Sequence, residues 1–515
     1  MNRILKRIFW IGLAGLVGVI VLFYAEEDWR GHHAWRQFQR EWGAKGEHFD
    51  WAGVVPPPVP DDQNFALTPV VASSYGQILD RTGHKLQTRN EELVNRLAMH
   101  YWVDGGGDSP ARISEWARGI RTDLPAFQRY YRTVAAKTNQ FPIPSQPQSP
   151  AADVLLALSR FDGTIEELRE ASRLPASRFP LEYDAKNPAT ILLPHLAALK
   201  SCAQVLCLRA TAELQAGRSD QALADVKLQL RLVDSIRTEP VLISHLVRLA
   251  MVQLLVQPVW EGLADHRWTD AQLAELNAEL AKPDFLADYK LAMHGELGFQ
   301  TAFIQLLRKH PGQYAQFFDN GNNQDPSRSA EQFLAAIVLH LAPGGWFDQN
   351  ELGCARIMER FYLPLAEVET RTFKPALARK GDSFLQNQLR HPSPFNLISR
   401  LLLPALGNSA RKFAYGQSSL DLARVALALE RYRLTTGRYP SSLEVLEPHY
   451  LEAVPHDVIG GQPLQYQATT DGRFSLYSVG WNESDDGGRV GLTQGKNPTL
   501  DLNLGDWVWR YPPTQ

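Results

Sequence analysis

The sequence predicts a mainly α-helical protein with a small C-terminal α+β domain, carried on one N-terminal transmembrane helix. Three observations predict it. An uncharged run fills residues 8–25, apolar residues recur at helical spacing from 151 to about 400, and beyond 403 a long helix gives way to alternating runs separated by glycine-bearing turns. The expected segments are 1–25 (cytoplasmic tip and anchor), 26–150 (juxtamembrane, mixed helical, with proline-rich linkers), 151–402 (helical) and 403–515 (α+β).

The 8–25 run spans about 27 Å as a helix, close to the hydrocarbon thickness of a bilayer. Arg3, Lys6 and Arg7 precede it and Glu26, Glu27 and Asp28 follow. Positive charge is retained on the cytoplasmic side, so the expected arrangement is single-pass in a bacterial inner membrane, with a cytoplasmic N-terminus and a periplasmic bulk. Trp10 and Tyr24 fall near the two interfaces. The competing reading is a cleaved signal peptide, which needs small residues at the last and third-last positions before the cut. Phe23 is third-last for a cut after Ala25, so a retained anchor is expected. Gly12, Gly15 and Gly18 form a smooth stripe, either a packing face or glycines tolerated by lipid.

Composition narrows the class of protein. With 53 basic and 56 acidic residues among 515, the chain lacks the excess of positive charge that neutralises nucleic-acid phosphates, and no nucleic-acid partner is expected. Hydrophobic residues at 44% and charged residues at 21% are those of a globular protein able to bury several cores. Three cysteines are too few for a disulfide framework; Cys202 and Cys207 share a helix and face apart, as small core residues.

After the anchor, His32, Trp35, Phe38 or Gln39, and Trp42 repeat at helical spacing, which suits either a membrane-surface helix or a face packed on the protein's own core. Prolines 56, 57, 58 and 60 stiffen the next segment, and prolines 142, 144, 147 and 150 mark a second linker. The clearest helical unit is 206–236: a helix stopped at Gly217, a cap at Ser219 or Asp220, then Ala222, Leu223, Val226, Leu230 and Val233 on one face. This hairpin resembles a tetratricopeptide unit, but no further copy follows at a fixed period, so an irregular helical domain is expected. Thr269 caps a helix running to Leu280. The loops at 104–108 and 319–325 read as solvated; the latter lacks the glycine and distal glutamate of an EF-hand.

In the C-terminal part, a helix over 419–434 is ended by Gly437 and Pro440, and a short helix is expected over 441–446. Leu464, Tyr466 and Ala468 alternate as a strand, Thr470-Asp471-Gly472 turns the chain, residues 474–479 return, and Trp507, Trp509 and Tyr511 suggest a last strand. The string 428–440 (Ala-Leu-Glu-Arg-Tyr-Arg-Leu-Thr-Thr-Gly-Arg-Tyr-Pro), with Pro455-His456-Asp457, 461–466 and 472–480, resembles the head of the major pseudopilin of type II secretion systems. The resemblance implies a helix packed on a small antiparallel sheet. The whole chain also looks like uncharacterised membrane-anchored envelope proteins that carry such a head. The sequence departs from the family in lacking a pseudopilin peptidase site and in placing the head far from the membrane helix.

In that family the loop after the return strand binds calcium. The matching loop here is 481–488, where Asn482, Asp485 and Asp486 offer hard oxygen ligands; the alternative is a solvated acidic turn. No catalytic motif is complete. Gly491 and Lys496 sit one residue short of a phosphate loop, the run 416–420 lacks the closing glycine of a nucleophile elbow, His294 and Glu296 occupy different helix faces, and Asp234 and Glu239 are scattered carboxylates open to pairing. The expected role is therefore a non-enzymatic envelope protein or scaffold with protein partners. The alternatives are a component of a type II secretion or pilus-like assembly, and an anchored extracytoplasmic enzyme whose site is assembled from distant residues.

Overall fold

A computed structural model of the chain describes residues 3–75, 96–103, 113, 115–138, 140–183, 191–311, 339–391, 393–469 and 471–510. The loops expected at 104–108 and 319–325, together with Thr470 and Tyr511, lie outside these residues. The protein is mainly helical with a small C-terminal sheet region, as the periodicities predict.

Helix α1 (Arg3–Gly43) runs unbroken from the apolar run into the body. Most of its first half projects free: Ile8, Trp10, Leu16 and Leu22 are exposed, and a Cβ added at Gly12, Gly15 or Gly18 would meet nothing within 4 Å beyond its own stretch of helix. Its second half is buried on one face, where Trp35 and Phe38 close on Phe49 at ring distances of 5.6 and 5.5 Å. Of the two readings open for the aromatic stripe, Trp35 and Phe38 therefore serve the protein's own core.

The body is built from helices longer than two turns: α2 (Leu124–Ala135), α3 (Pro150–Leu158), α4 (Asp162–Ala171), α5 (Pro194–Gln215), α6 (Ser219–Asp234), α7 (Leu242–Ala264), α8 (Asp270–Leu280), α9 (Phe285–Lys309), α10 (Gly344–Ile357), α11 (Pro375–Arg390) and α12 (Ser409–Thr436). The α5–α6 hairpin turns at Gly217, whose φ of 76° is the left-handed value that favours glycine. The expected cap is absent, however: Ser219 and Asp220 instead take the Gln272 amide at 3.1 and 2.7 Å, tying the hairpin to α8. Thr269 and Gln272 form the reciprocal capping box of α8. Cys202 and Cys207 are buried on α5, with thiols aimed at the Leu97 and Ile113 carbonyls at 3.2 and 3.5 Å.

Helix α7 is the other described helix long and apolar enough to span a bilayer, but it is largely buried, packed between α5, α6 and α12. Against it lies α12, which begins ten residues before the expected Ser419. In the structure a Cβ on Gly416 would sit 2.3 Å from the Leu249 side chain, so that glycine allows helix–helix contact rather than ending a helix.

Strands β3 (Gln465–Ala468), β4 (Phe474–Ser478) and β7 (Trp507–Trp509) form an antiparallel sheet in the order β3-β4-β7, with Ala468 opposite Phe474 across the expected turn. Two short strands, β1 (Ala366–Glu367) and β2 (Thr372–Phe373), pair elsewhere. The hairpin of β5 (Val490–Leu492) and β6 (Leu500–Gly505) was not foreseen; it occupies the stretch that imitates a phosphate loop, with Thr493 bonded across to Thr499 at 2.8 Å. The helix expected at 441–446 is a single 3-10 turn, Glu444–Leu446. The buried core continues across position 403: Trp116 stacks on Tyr415, 6.4 Å away, and meets Trp509 at 5.6 Å.

Candidate functional site

A cleft of about 910 Å³ opens where the helical body meets the C-terminal sheet. Its lining comes from six stretches: residues 121–125, the start of α3, Gln215 at the end of α5, the end of α7, Tyr439, and the β3–β4 turn.

The end of α7 shapes the cleft. The Arg267 amide donates to the Gly262 carbonyl at 2.8 Å and the His266 amide to Leu263 at 3.2 Å, the paired bonds of a Schellman stop. The residue in the left-handed position of such a stop is usually glycine; here it is His266, at φ 53°. A side chain in that conformation costs on the order of 1 kcal/mol or more. What offsets the cost is visible. The imidazole Nδ1 lies 2.7 Å from Glu430, a buried carboxylate near the end of α12. Glu430 also receives Arg433 through two bonds of 2.8 and 2.7 Å and the Tyr439 hydroxyl at 2.9 Å. Burial alone would raise the Glu430 carboxyl, but Arg433, His266 and Tyr439 bring it down to about 2.

The other wall is a second polar network. Arg121 holds Asp265 in a fork of 2.7 and 2.6 Å, and the Gln215 amide adds 2.7 Å. Against burial, those contacts keep the Asp265 carboxyl below its usual range. Glu261 is buried and accepts from the Thr122 amide (2.9 Å), the Thr122 hydroxyl (2.7 Å) and Gln257 (2.8 Å), yet burial pushes its carboxyl upward. With Nδ1 held by Glu430, the His266 ring has a fixed tautomer and keeps Nε2 for a proton or a ligand. The cleft can therefore present one oriented imidazole beside arginine–carboxylate pairs; no hydroxyl is placed against the imidazole among the described bonds.

The residues singled out from the sequence lie elsewhere. In the 481–488 loop, Asn482 donates to Asp486 at 2.8 Å and accepts from the Ser484 amide at 3.2 Å, while Asp485 accepts from Gly487 and the Tyr477 hydroxyl at 2.9 and 3.1 Å. Asp506 organises the turn from beneath, taking the amides of Asp486, Gly488 and Arg489. Much of the loop's oxygen capacity is thus committed to its own turn. Among the described residues no group of three or more His, Cys, Asp or Glu side chains is disposed to hold a metal. The expected result is that several millimolar calcium leaves the melting temperature of the full chain where a chelator leaves it. A rise that Asp485→Ala or Asp486→Ala abolishes, worth about 2.7 kcal/mol at a hundredfold excess over the dissociation constant, would establish the site instead.

Asp234 and Glu239 do not pair. Asp234 faces Arg231 and Arg237, while Glu239 is buried between His195, at 2.9 Å, and the Ser244 hydroxyl. That Ser–Glu–His group places the carboxylate between the other two, so the serine has no histidine to take its proton. The run 416–420 is helix interior, with the Ser419 hydroxyl bonded to Tyr415 at 2.7 Å. His294 bonds Glu47 at 2.8 Å, away from Glu296.

His266 and Glu430 were not singled out in the sequence. The signal for the first is Ala264-Asp265-His266-Arg267, which ends an apolar helix without glycine. The second is an acid inside an apolar helix. No protein-family model, curated protein or solved structure matches the chain, so the class of protein rests on the fold and site alone: a helical body on an apolar N-terminal helix, with a polar cleft at the edge of a small sheet.

Proposed function

We propose that the chain is a single-pass membrane protein acting as an extracytoplasmic scaffold, binding protein partners in a bacterial envelope. The observation that carries this reading is the continuity of α1, whose apolar half projects free and whose polar half is packed into the body. A body joined in this way is mounted on its membrane helix rather than tethered by a linker. The charge asymmetry of Arg3, Lys6 and Arg7 against Glu26, Glu27 and Asp28 sets the direction. A reporter active only in the periplasm, fused after Gln515, should be active. Activity from a cytoplasmic reporter alone would overturn the topology. For the scaffold role, the detergent-solubilised full chain should co-purify with an envelope protein in stoichiometric amount.

A second reading, an anchored enzyme, is favoured by the oriented His266 imidazole in the cleft. Recovery of the chain alone, with a small molecule retained in the cleft and lost in His266→Ala, would favour that reading over the scaffold. The resemblance of 428–480 to pseudopilin heads supports membership of a secretion or pilus-like assembly less directly, because α1 packs on α10 rather than leading into α12.

A further inference from the structure

Where α1 leaves the apolar run, a groove of about 1080 Å³ lies between it and the start of α10. One wall is a stripe on α1: Trp29, His33, Arg36 and Arg40, spaced so that all share one face. Trp29 is 69% exposed and stacks on His33 at 5.5 Å. The facing acids are already engaged. Asp28 accepts the Gly345 amide at 2.8 Å, and Asp348 takes Arg308 at 3.0 Å with His32 3.7 Å away. Arg36 and Arg40 have no carboxylate partner among the described residues, and the groove's lining carries three arginines against two aspartates.

Its height matters as much as its charge. Trp29 lies about 6 Å, and Arg36 about 16 Å, beyond Ala25 along the helix. Side chains on a helix lean toward its N-terminus, which here is toward the membrane, and an arginine can reach several ångströms further in that direction. The body reaches the same level: the Tyr24 hydroxyl bonds the Leu341 carbonyl, Trp346 packs edge-on to Phe23 at 6.4 Å, and Leu341 is 64% exposed beside them. An amphipathic ring and an exposed leucine thus sit at the depth of lipid headgroups, the Arg36 guanidinium reaches toward them, and Arg40, about 22 Å beyond Ala25, lies one turn further out.

We infer that this groove binds the headgroup of an anionic phospholipid in the leaflet the body rests on, with Arg36 facing its phosphate, Arg40 adding positive charge from one turn further out and Trp29 at the acyl boundary. The inference rests on α1 spanning the membrane, and that is tested first: the chain should remain in the membrane pellet after alkaline carbonate extraction. Release by carbonate removes the membrane reading itself. The lipid test uses the full chain in detergent, analysed by native mass spectrometry with added phosphatidylglycerol or phosphatidylcholine. The expected result is at least threefold greater retention of phosphatidylglycerol, lost in the Arg36→Gln/Arg40→Gln variant, whose unchanged melting temperature would show that it folds. Equal retention of both lipids, a preference unaltered in the variant, or displacement of the lipid by millimolar inorganic phosphate would each overturn the lipid site while leaving the anchor in place.

Discussion

Gly345→Val is expected to loosen the body's hold on α1. At this crossing the backbones of α1 and α10 meet: a Cβ on Gly345 would lie 2.0 Å from the Glu27 carbonyl oxygen, and one on Gly31 2.2 Å from that of Gly345. A backbone oxygen cannot swing aside as a side chain can, so the helices must part. Parting them also breaks the bond by which Asp28 satisfies an otherwise orphaned amide at the start of α10, and the 3.0 Å bond from Trp346 to Glu27. Overpacking of about 1–3 kcal/mol and the lost cap of about 1 kcal/mol together predict a loss near 3 kcal/mol. The solubilised variant should melt several degrees lower and gain a protease-sensitive site between α1 and the body. Gly12→Val is the control, since its added atoms meet nothing in the chain. Equal melting temperatures for Gly345→Val and the natural chain would refute this account of the crossing.

The second large effect is expected at Glu430. Glu430→Ala leaves Arg433, His266 and Tyr439 facing an empty space at the base of the cleft. Breaking a buried ion pair from one side costs about 3–5 kcal/mol, and the lower end applies because the His266 side chain is 46% exposed. The acid limb gives an independent readout. A carboxylate held near 2 when folded, against about 4.5 when unfolded, contributes stability that is present above the unfolded value and lost as pH falls from there through 2. Glu430→Gln should therefore flatten the decline of stability between about pH 4.5 and 2. A decline as steep as that of the natural chain would mean the carboxylate is not held in this way.

Much of the architecture could be read directly from the residues, because its causes are local. Gly217, Gly437 and the Thr269 cap act on their own helix ends, and the alternation of residues 464–479 belongs to a single hairpin. What escaped reading depends on partners far away in the chain. Ser219 looks like a cap until Gln272 claims it, and the helix expected from Ser419 starts ten residues earlier, where Gly416 lets Leu249 pack close. The cleft was invisible for the same reason: His266 and Glu430 are 164 positions apart, and neither stands in a recognisable spacing. The 481–488 loop was conspicuous because its acids are adjacent, yet the residue that organises it, Asp506, comes from beyond the β5–β6 hairpin. Adjacent charges are easy to see in a sequence, whereas charges joined by tertiary folding are not.

The crossing of Gly31 and Gly345 also sets an order of events during synthesis. Helix α1 emerges first, whereas α10, against which its polar half packs, is made some three hundred residues later, a delay of roughly 15–60 s at ordinary rates of translation. Throughout that interval the face of α1 that will meet α10 is still waiting for it. Closure of the body onto α1 must therefore be a late step, and a chain interrupted before residue 344 would leave that face of α1 uncovered.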